Sequence, residues 1–191
     1  INLNTQAHAS NNFLTVNSSI IDGSYLAVYG YDADGTGYTI YNNTAGDGLS
    51  DYIAPGQAFF VAAASTSLNN VSFTPAMRTT SGGDDFVSGR LAQSDWSKFY
   101  LRLYEDDNFA SETQFYFEQG LSLGLDPGYD AGAMSQDDLM SRLVEEDQGI
   151  GMAINAMGND FDDTTVPLVI NRDTGVEFSI SLEDSTIPEG V

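Results

Sequence analysis

The sequence predicts an all-β protein, an antiparallel β-sandwich of jelly-roll type with one short flanking helix. Three observations carry that expectation. Short runs rich in aromatic and β-branched residues recur along the chain, and clusters of Gly, Asn, Asp and Ser separate them. The best-defined run, Phe99 to Tyr104, alternates with the period of a strand. The 191 residues suit a single domain over 1–191, long enough to bury a core without disulfides.

Taken in order, strands are expected over 25–31, 37–41, 58–63, 71–74, 99–104, 113–117, 151–155, 166–171 and 177–182. Pro55-Gly56 sets a tight turn, because proline fixes φ for the corner and glycine accepts the positive φ that follows. Gln57 then leads into Phe59-Phe60-Val61, residues that favour a pleated, buried surface. In the run from Phe99, Leu101 and Leu103 share one face with it, and Tyr100, Arg102 and Tyr104 share the other. Glu105-Asp106-Asp107-Asn108 supplies an acidic hairpin connection, and Gln114-Phe115-Tyr116-Phe117 the return strand. The helix is expected after Ser135, where Ser135-Gln136-Asp137-Asp138 resembles a capping box and Leu139, Met140, Leu143 and Val144 recur at helical spacing.

Charge restricts the partners. Twenty-eight acidic residues stand against six basic ones, for a formal net charge of -22. Nucleic acid and anionic membranes are repelled, since phosphate binding depends on Lys and Arg displacing counterions. Calcium, neutral glycans, basic partners or solubility in salty water remain favoured. No run is long and apolar enough to insert in a membrane. Cysteine is absent, which excludes disulfides and thiolate chemistry. The chain begins at Ile1, and Ile187-Pro188-Glu189-Gly190-Val191 reads as the turn into a further strand. The expectation is therefore a fragment of a larger protein whose last strand lies beyond Val191.

The stretch Ile53 to Val61 resembles the I-x-P-G-Q-x-F-F-V signature of large secreted and surface proteins of the Bacteroidetes. Other pieces match in the same order: Tyr29-Gly30-Tyr31-Asp32, Tyr38 to Asn42, Val71-Ser72-Phe73-Thr74 with Met77-Arg78, Leu101-Arg102-Leu103, Gly128 to Ala131, and Val166-Pro167-Leu168 with Gly175. The usual opening of such segments is replaced by Gln6-Ala7-His8-Ala9-Ser10. The resemblance implies a β-sandwich region preceding a sorting domain in a substrate of the type IX secretion system. It also implies an extracellular or cell-surface location and no activity of its own.

Catalysis finds no specific signal. His8 is the sole histidine, there is no Gly-x-Ser-x-Gly elbow, and the glycines form no phosphate-cradling pattern. Acidic pairs such as Asp84-Asp85 and Asp106-Asp107 are expected in solvated turns, so the chain reads as a non-enzyme. Calcium is the sharper possibility. Asp32-Ala33-Asp34-Gly35 resembles the start of a D-x-D-G loop, and Asp160, Asp162 and Asp163 form a second oxygen-rich cluster. A plain β-turn between strands explains the first equally well, and Asp126-Pro127-Gly128-Tyr129-Asp130 is a weaker third. Tyr25, Tyr29 and Tyr31 have period-two spacing, so they form either a tyrosine strip for sugars or a core stripe. The function expected is a non-catalytic module for adhesion or assembly, with protein partners or self-association through an open sheet edge. The alternative is a calcium-dependent carbohydrate-binding module of a polysaccharide-degrading enzyme.

Overall fold

The computed structural model describes residues 12–31, 38–44, 53, 56–66, 70–78, 96–134, 138–145, 148–159 and 163–187. The chain divides into two units, Ile1–Ser94 and Asp95–Val191. Each carries its own sheet.

In the first unit a short helix, α1 (Phe13–Asn17), starts where Asn12 accepts a hydrogen bond from Thr15 N at 2.7 Å. It buries Phe13 and Leu14 in a cluster with Ile21, Leu26, Val28, Tyr41, Ile53 and Met77. Asn17 closes the helix and is buried. Its side chain imitates a strand partner for Ser72, donating to the Ser72 carbonyl at 3.1 Å and accepting from its amide at 2.7 Å. Strands β1 (Val28–Tyr31) and β2 (Tyr38–Tyr41) pair antiparallel, with Tyr31 opposite Tyr38. Gly56 takes φ +84°, as the turn before Gln57 requires. The strand expected over 58–63 is reduced to two single bridges, Ile21 to Ala63 and Tyr29 to Phe60. Residues 71–74 form no ladder either; Asn17 holds Ser72 in place of a neighbouring strand.

The second unit is a seven-stranded sheet. Its strands are β3 (Ser97–Glu105), β4 (Asn108–Phe117), β5 (Ala131–Gly132), β6 (Leu139–Ser141), β7 (Met152–Met157), β8 (Leu168–Ile170) and β9 (Ser179–Glu183). The order is β8-β6-β7-β4-β3-β9, with β5 pairing β7 off that path. The acidic hairpin is present. Asp106 and Asp107 both have positive φ, +49° and +63°, which matches the twist of a two-residue primed turn. Most pairs are antiparallel, as expected, but β4 and β7 run parallel, joined through a long crossover that contains β5 and β6. The β-rich class therefore holds.

The expected helix does not form where it can be followed. Residues 135–137 lie outside the described set, but Leu139–Ser141 is strand, paired with β8 on one side and β7 on the other. Leu139, Met140 and Ser141 are all buried. A strand covered on both faces loses its alternation, and a run of apolar residues then imitates a helix face.

The turn before β5 is anchored from within. Asp130 is fully buried; one carboxyl oxygen accepts from Asp126 N at 2.6 Å and the other from Ala156 N at 2.7 Å, in β7. Asp126 accepts from the amide and hydroxyl of Ser122 at 2.7 and 2.9 Å. Both carboxylates thus serve the backbone. Burial pushes the Asp130 carboxyl up to about 7, against the downward pull of the two amides.

Two consequences follow for Asp130→Asn. The amide can accept at only one of the two positions, so a buried donor loses its partner, at a cost of about 1–3 kcal/mol. The raised value also means that between about pH 4 and about pH 7 the folded chain holds a proton the unfolded chain has released, and stability falls as pH rises, by at most about 1.4 kcal/mol per pH unit. Denaturant unfolding at a series of pH values should show this slope in the wild-type chain and its loss in the variant. Equal slopes would contradict the assignment.

Candidate functional site

The β3–β4 hairpin has two chemically distinct faces. On one, Phe99 pairs with Phe115 with ring centroids 4.7 Å apart, and Leu101 and Leu103 follow. Leu182 lies opposite Leu101 and Ile180 opposite Leu103, so this apolar face runs on to β9. There it comes into solvent: Phe178, Ile180 and Leu182 are 41, 38 and 58% exposed. Among the described residues no strand pairs with the outer side of β9. An open edge and an exposed apolar row thus coincide on one strand, which is a template for another strand.

The opposite face fixes β9 to the sheet. Arg102 is at its centre. Its Nε donates to Glu112 at 2.7 Å, its Nη1 to Glu183, and its Nη2 to Asp184 at 3.1 Å. Glu112 belongs to β4 and Glu183 to β9, so one guanidinium ties three segments. Glu183 also accepts from Tyr104 at 2.6 Å and Ser181 at 2.7 Å. The hydrogen bond from Tyr104, then that from Ser181, and then Arg102 hold its carboxyl down at about 2. Inward, Gln114 donates to Glu112 at 2.6 Å, Tyr116 donates to Gln114 at 3.0 Å, and the Tyr116 and Tyr100 hydroxyls lie 3.0 Å apart. Past β9 the chain stays attached, because Thr186 N donates to the Lys98 carbonyl at 2.8 Å and its hydroxyl to the Trp96 carbonyl at 3.1 Å. β9 is therefore pinned on one side and open on the other.

A third polar group lies in the sheet interior. Thr113, Ser141 and Asn155 are buried together, with Thr113 Oγ1 3.0 Å from Ser141 Oγ and Asn155 Nδ2 donating to Ser141 Oγ at 3.3 Å. It joins β4, β6 and β7 and has no opening to solvent, so its role is cohesion.

In the first unit Tyr31 is 57% and Phe60 49% exposed, and both rings stand edge-on to Tyr38, at 5.6 and 5.8 Å. The tyrosine series divides accordingly: Tyr29 is buried, Tyr31 projects, and Tyr25 lies in a 3₁₀ turn rather than the strand. Trp96 stacks on Tyr129 at 6.1 Å.

Of the residues expected to bind calcium, Asp32, Asp34, Asp160 and Asp162 lie outside the described residues, as does His8. Asp163 is an exposed turn residue at φ +59°. Among the described residues there is no group of three or more His, Cys, Asp or Glu arranged to hold a metal ion. Sequence reasoning missed Arg102 as an organising residue. Its partners are 10, 81 and 82 positions away, and the only signal is a cation, with Lys98 four residues before it, on the polar face of an acidic hairpin.

Arg102→Met should leave three carboxylates facing one another and cost about 1–2 kcal/mol, allowing for solvent screening of the partly exposed partners. Protection of the β9 amides from hydrogen exchange should fall more than that of β4. Because the Glu183 carboxyl is lowered, its contribution is present above its ordinary value of 4.5 and lost as pH falls toward about 2. Acidification of the wild-type chain through that window should reproduce the β9 defect of the variant. Uniform loss of protection across the sheet would contradict a local clamp.

No curated protein and no solved structure matches the chain. A family model described as a domain of unknown function (DUF8693) matches residues 7–186, nearly the full length and both units. The chain belongs to that family.

Proposed function

We propose that this chain is a non-catalytic module of a larger secreted or cell-surface protein, used for adhesion or assembly by accepting an extended segment of a protein partner at β9. One observation carries the reading: among the described residues no strand pairs with the outer side of β9, while Phe178, Ile180 and Leu182 stand exposed along it. Added main-chain hydrogen bonds would supply affinity, and the apolar row would set register. The carboxylates nearby are engaged with Arg102 and Tyr104, which favours a structural over a catalytic use of this face. The resemblance to Bacteroidetes surface modules supports the location outside the cell, and a jelly-roll-like sandwich is the packing this reading expects of the sheets.

The test is selection of binders to the intact chain from a random octapeptide display library. The selected peptides should protect the β9 amides and lose binding by about tenfold or more to the double variant Ile180→Lys, Leu182→Lys, since two buried apolar contacts are replaced by charges. Binders that ignore the double variant, or none at all, would sink the proposal.

A second reading, the calcium-dependent carbohydrate-binding module, is favoured by the exposed Tyr31 and Phe60 rings around Tyr38, with Asp32 directly following Tyr31 in sequence. Sugar rings stack on such faces, and the tyrosine hydroxyls add polar contacts. Retardation of the chain in gels containing neutral polysaccharide, abolished by Tyr31→Ala and by chelator, is the expected outcome. Equal mobility with and without polysaccharide would remove this reading.

A further inference from the structure

We infer that the segment accepted at β9 is cationic, with apolar residues alternating with Lys or Arg, and is not a second copy of this chain. The inference rests on the strand-addition reading and specifies the chemistry of its partner.

The edge has a one-sided charge. From Asp173 to Ser185 the chain carries Asp173, Glu177, Glu183 and Asp184 and not one Lys or Arg. Asp173, Glu177 and Asp184 are exposed. Of the two cations on this face of β3, Arg102 already directs Nε, Nη1 and Nη2 at three carboxylates, and Lys98 is buried with its ammonium 5.5 Å from the Tyr100 ring centroid, so neither is displayed to an incoming strand. An incoming strand therefore meets negative charge along the edge, while its alternate side chains meet the apolar row of Phe178, Ile180 and Leu182. A second copy would bring the same acidic stretch alongside this one, together with another net charge of -22. Like charges placed across a strand pair oppose association, so complementarity selects a basic partner.

Among the described residues the other end of the sheet, β8, is also unpaired and carries Leu168 and Ile170 at 40 and 41% exposed, but it offers a shorter edge. β8 has only three residues and is entered from Pro167, features that limit the edge it offers, while Arg172 beyond it is committed to Glu105 and Asp138. β9 has five residues with no proline and no basic gatekeeper.

The experiment measures binding of the full chain to four octapeptides by calorimetry, with hydrogen exchange to locate the site. One alternates Lys with Val, one alternates Thr with Val, one alternates Glu with Val, and one has the composition of the first with its lysines in a single block. The Lys/Val alternating peptide should bind most tightly, protect residues 179–183, and weaken about fivefold or more between about 50 and about 300 mM salt. The Ile180→Lys, Leu182→Lys variant should lose that binding. Equal binding of the Thr/Val peptide at β9 would overturn the charge specification while leaving strand addition standing. Equal binding of the blocked peptide would mean general electrostatic attraction and would also overturn it. If none of the peptides protects β9, strand addition itself fails. A dimer of the free chain that buries β9 would overturn the choice of partner.

Discussion

Arg102 is the residue on which the attachment of β9, and with it the edge of the second unit's sheet, depends. In a chain with 28 acids and six bases, each cation is a scarce resource, and this one gathers Glu112, Glu183 and Asp184 from two strands and the turn after β9. A fork of donors suits this task, because carboxylates can be met on several sides at once while the guanidinium remains charged. Without it, the same three carboxylates would repel one another at the margin of the sheet. The clamp lets a short, solvent-facing strand remain in register with β3 although its apolar side chains are only partly covered.

That arrangement explains how two opposed properties coexist on β9. Burial alone would hold it weakly, since Ile180 and Leu182 keep much of their surface in water. The polar face supplies the rest: Tyr104 and Ser181 converge on Glu183, and Thr186 continues the attachment to Lys98 and Trp96. An exposed apolar edge is normally a hazard that proteins blunt with charge, proline or a bulge. Here the charge is present but negative, and it lies along the edge rather than across the apolar row. Such an edge discourages like chains while staying available to a basic one. The interior polar group of Thr113, Ser141 and Asn155 fixes the central strands, so the strand that offers the edge hangs from a stiff support.

Local signals in the sequence were readable where the chemistry is local. The alternation from Phe99 to Tyr104 marked β3, Asp106-Asp107 marked the hairpin, and Pro55-Gly56 marked a turn whose Gly56 has the required positive φ. The helix after Ser135 was misread because Leu139, Met140 and Ser141 are covered on both faces, and periodicity cannot then separate strand from helix. The real helix, Phe13–Asn17, is too short to show a periodic pattern; Asn12 before Phe13-Leu14 was its one signal. The parallel pairing of β4 with β7, the Arg102 clamp and the Asp130 anchor all join residues distant in sequence, and no local pattern encodes them. The calcium expectation rested mainly on loops outside the described residues, and it remains a matter for the glycan reading. The sequence points to an open edge only through a strand expected beyond Val191; that β9 carries an apolar row at the edge follows from its register with β3.

The most direct measurement is residue-resolved amide exchange on the free chain at neutral pH. A strand pinned on one side and open on the other should show alternation across 179–183: amides directed at β3 exchange slowly, and those directed outward exchange at rates near those of an unstructured peptide. Slow exchange at every position would mean that the outer side is already covered, and uniformly fast exchange would mean that β9 is not held by Arg102. Either result would contradict the account of β9 as an ordered, vacant edge.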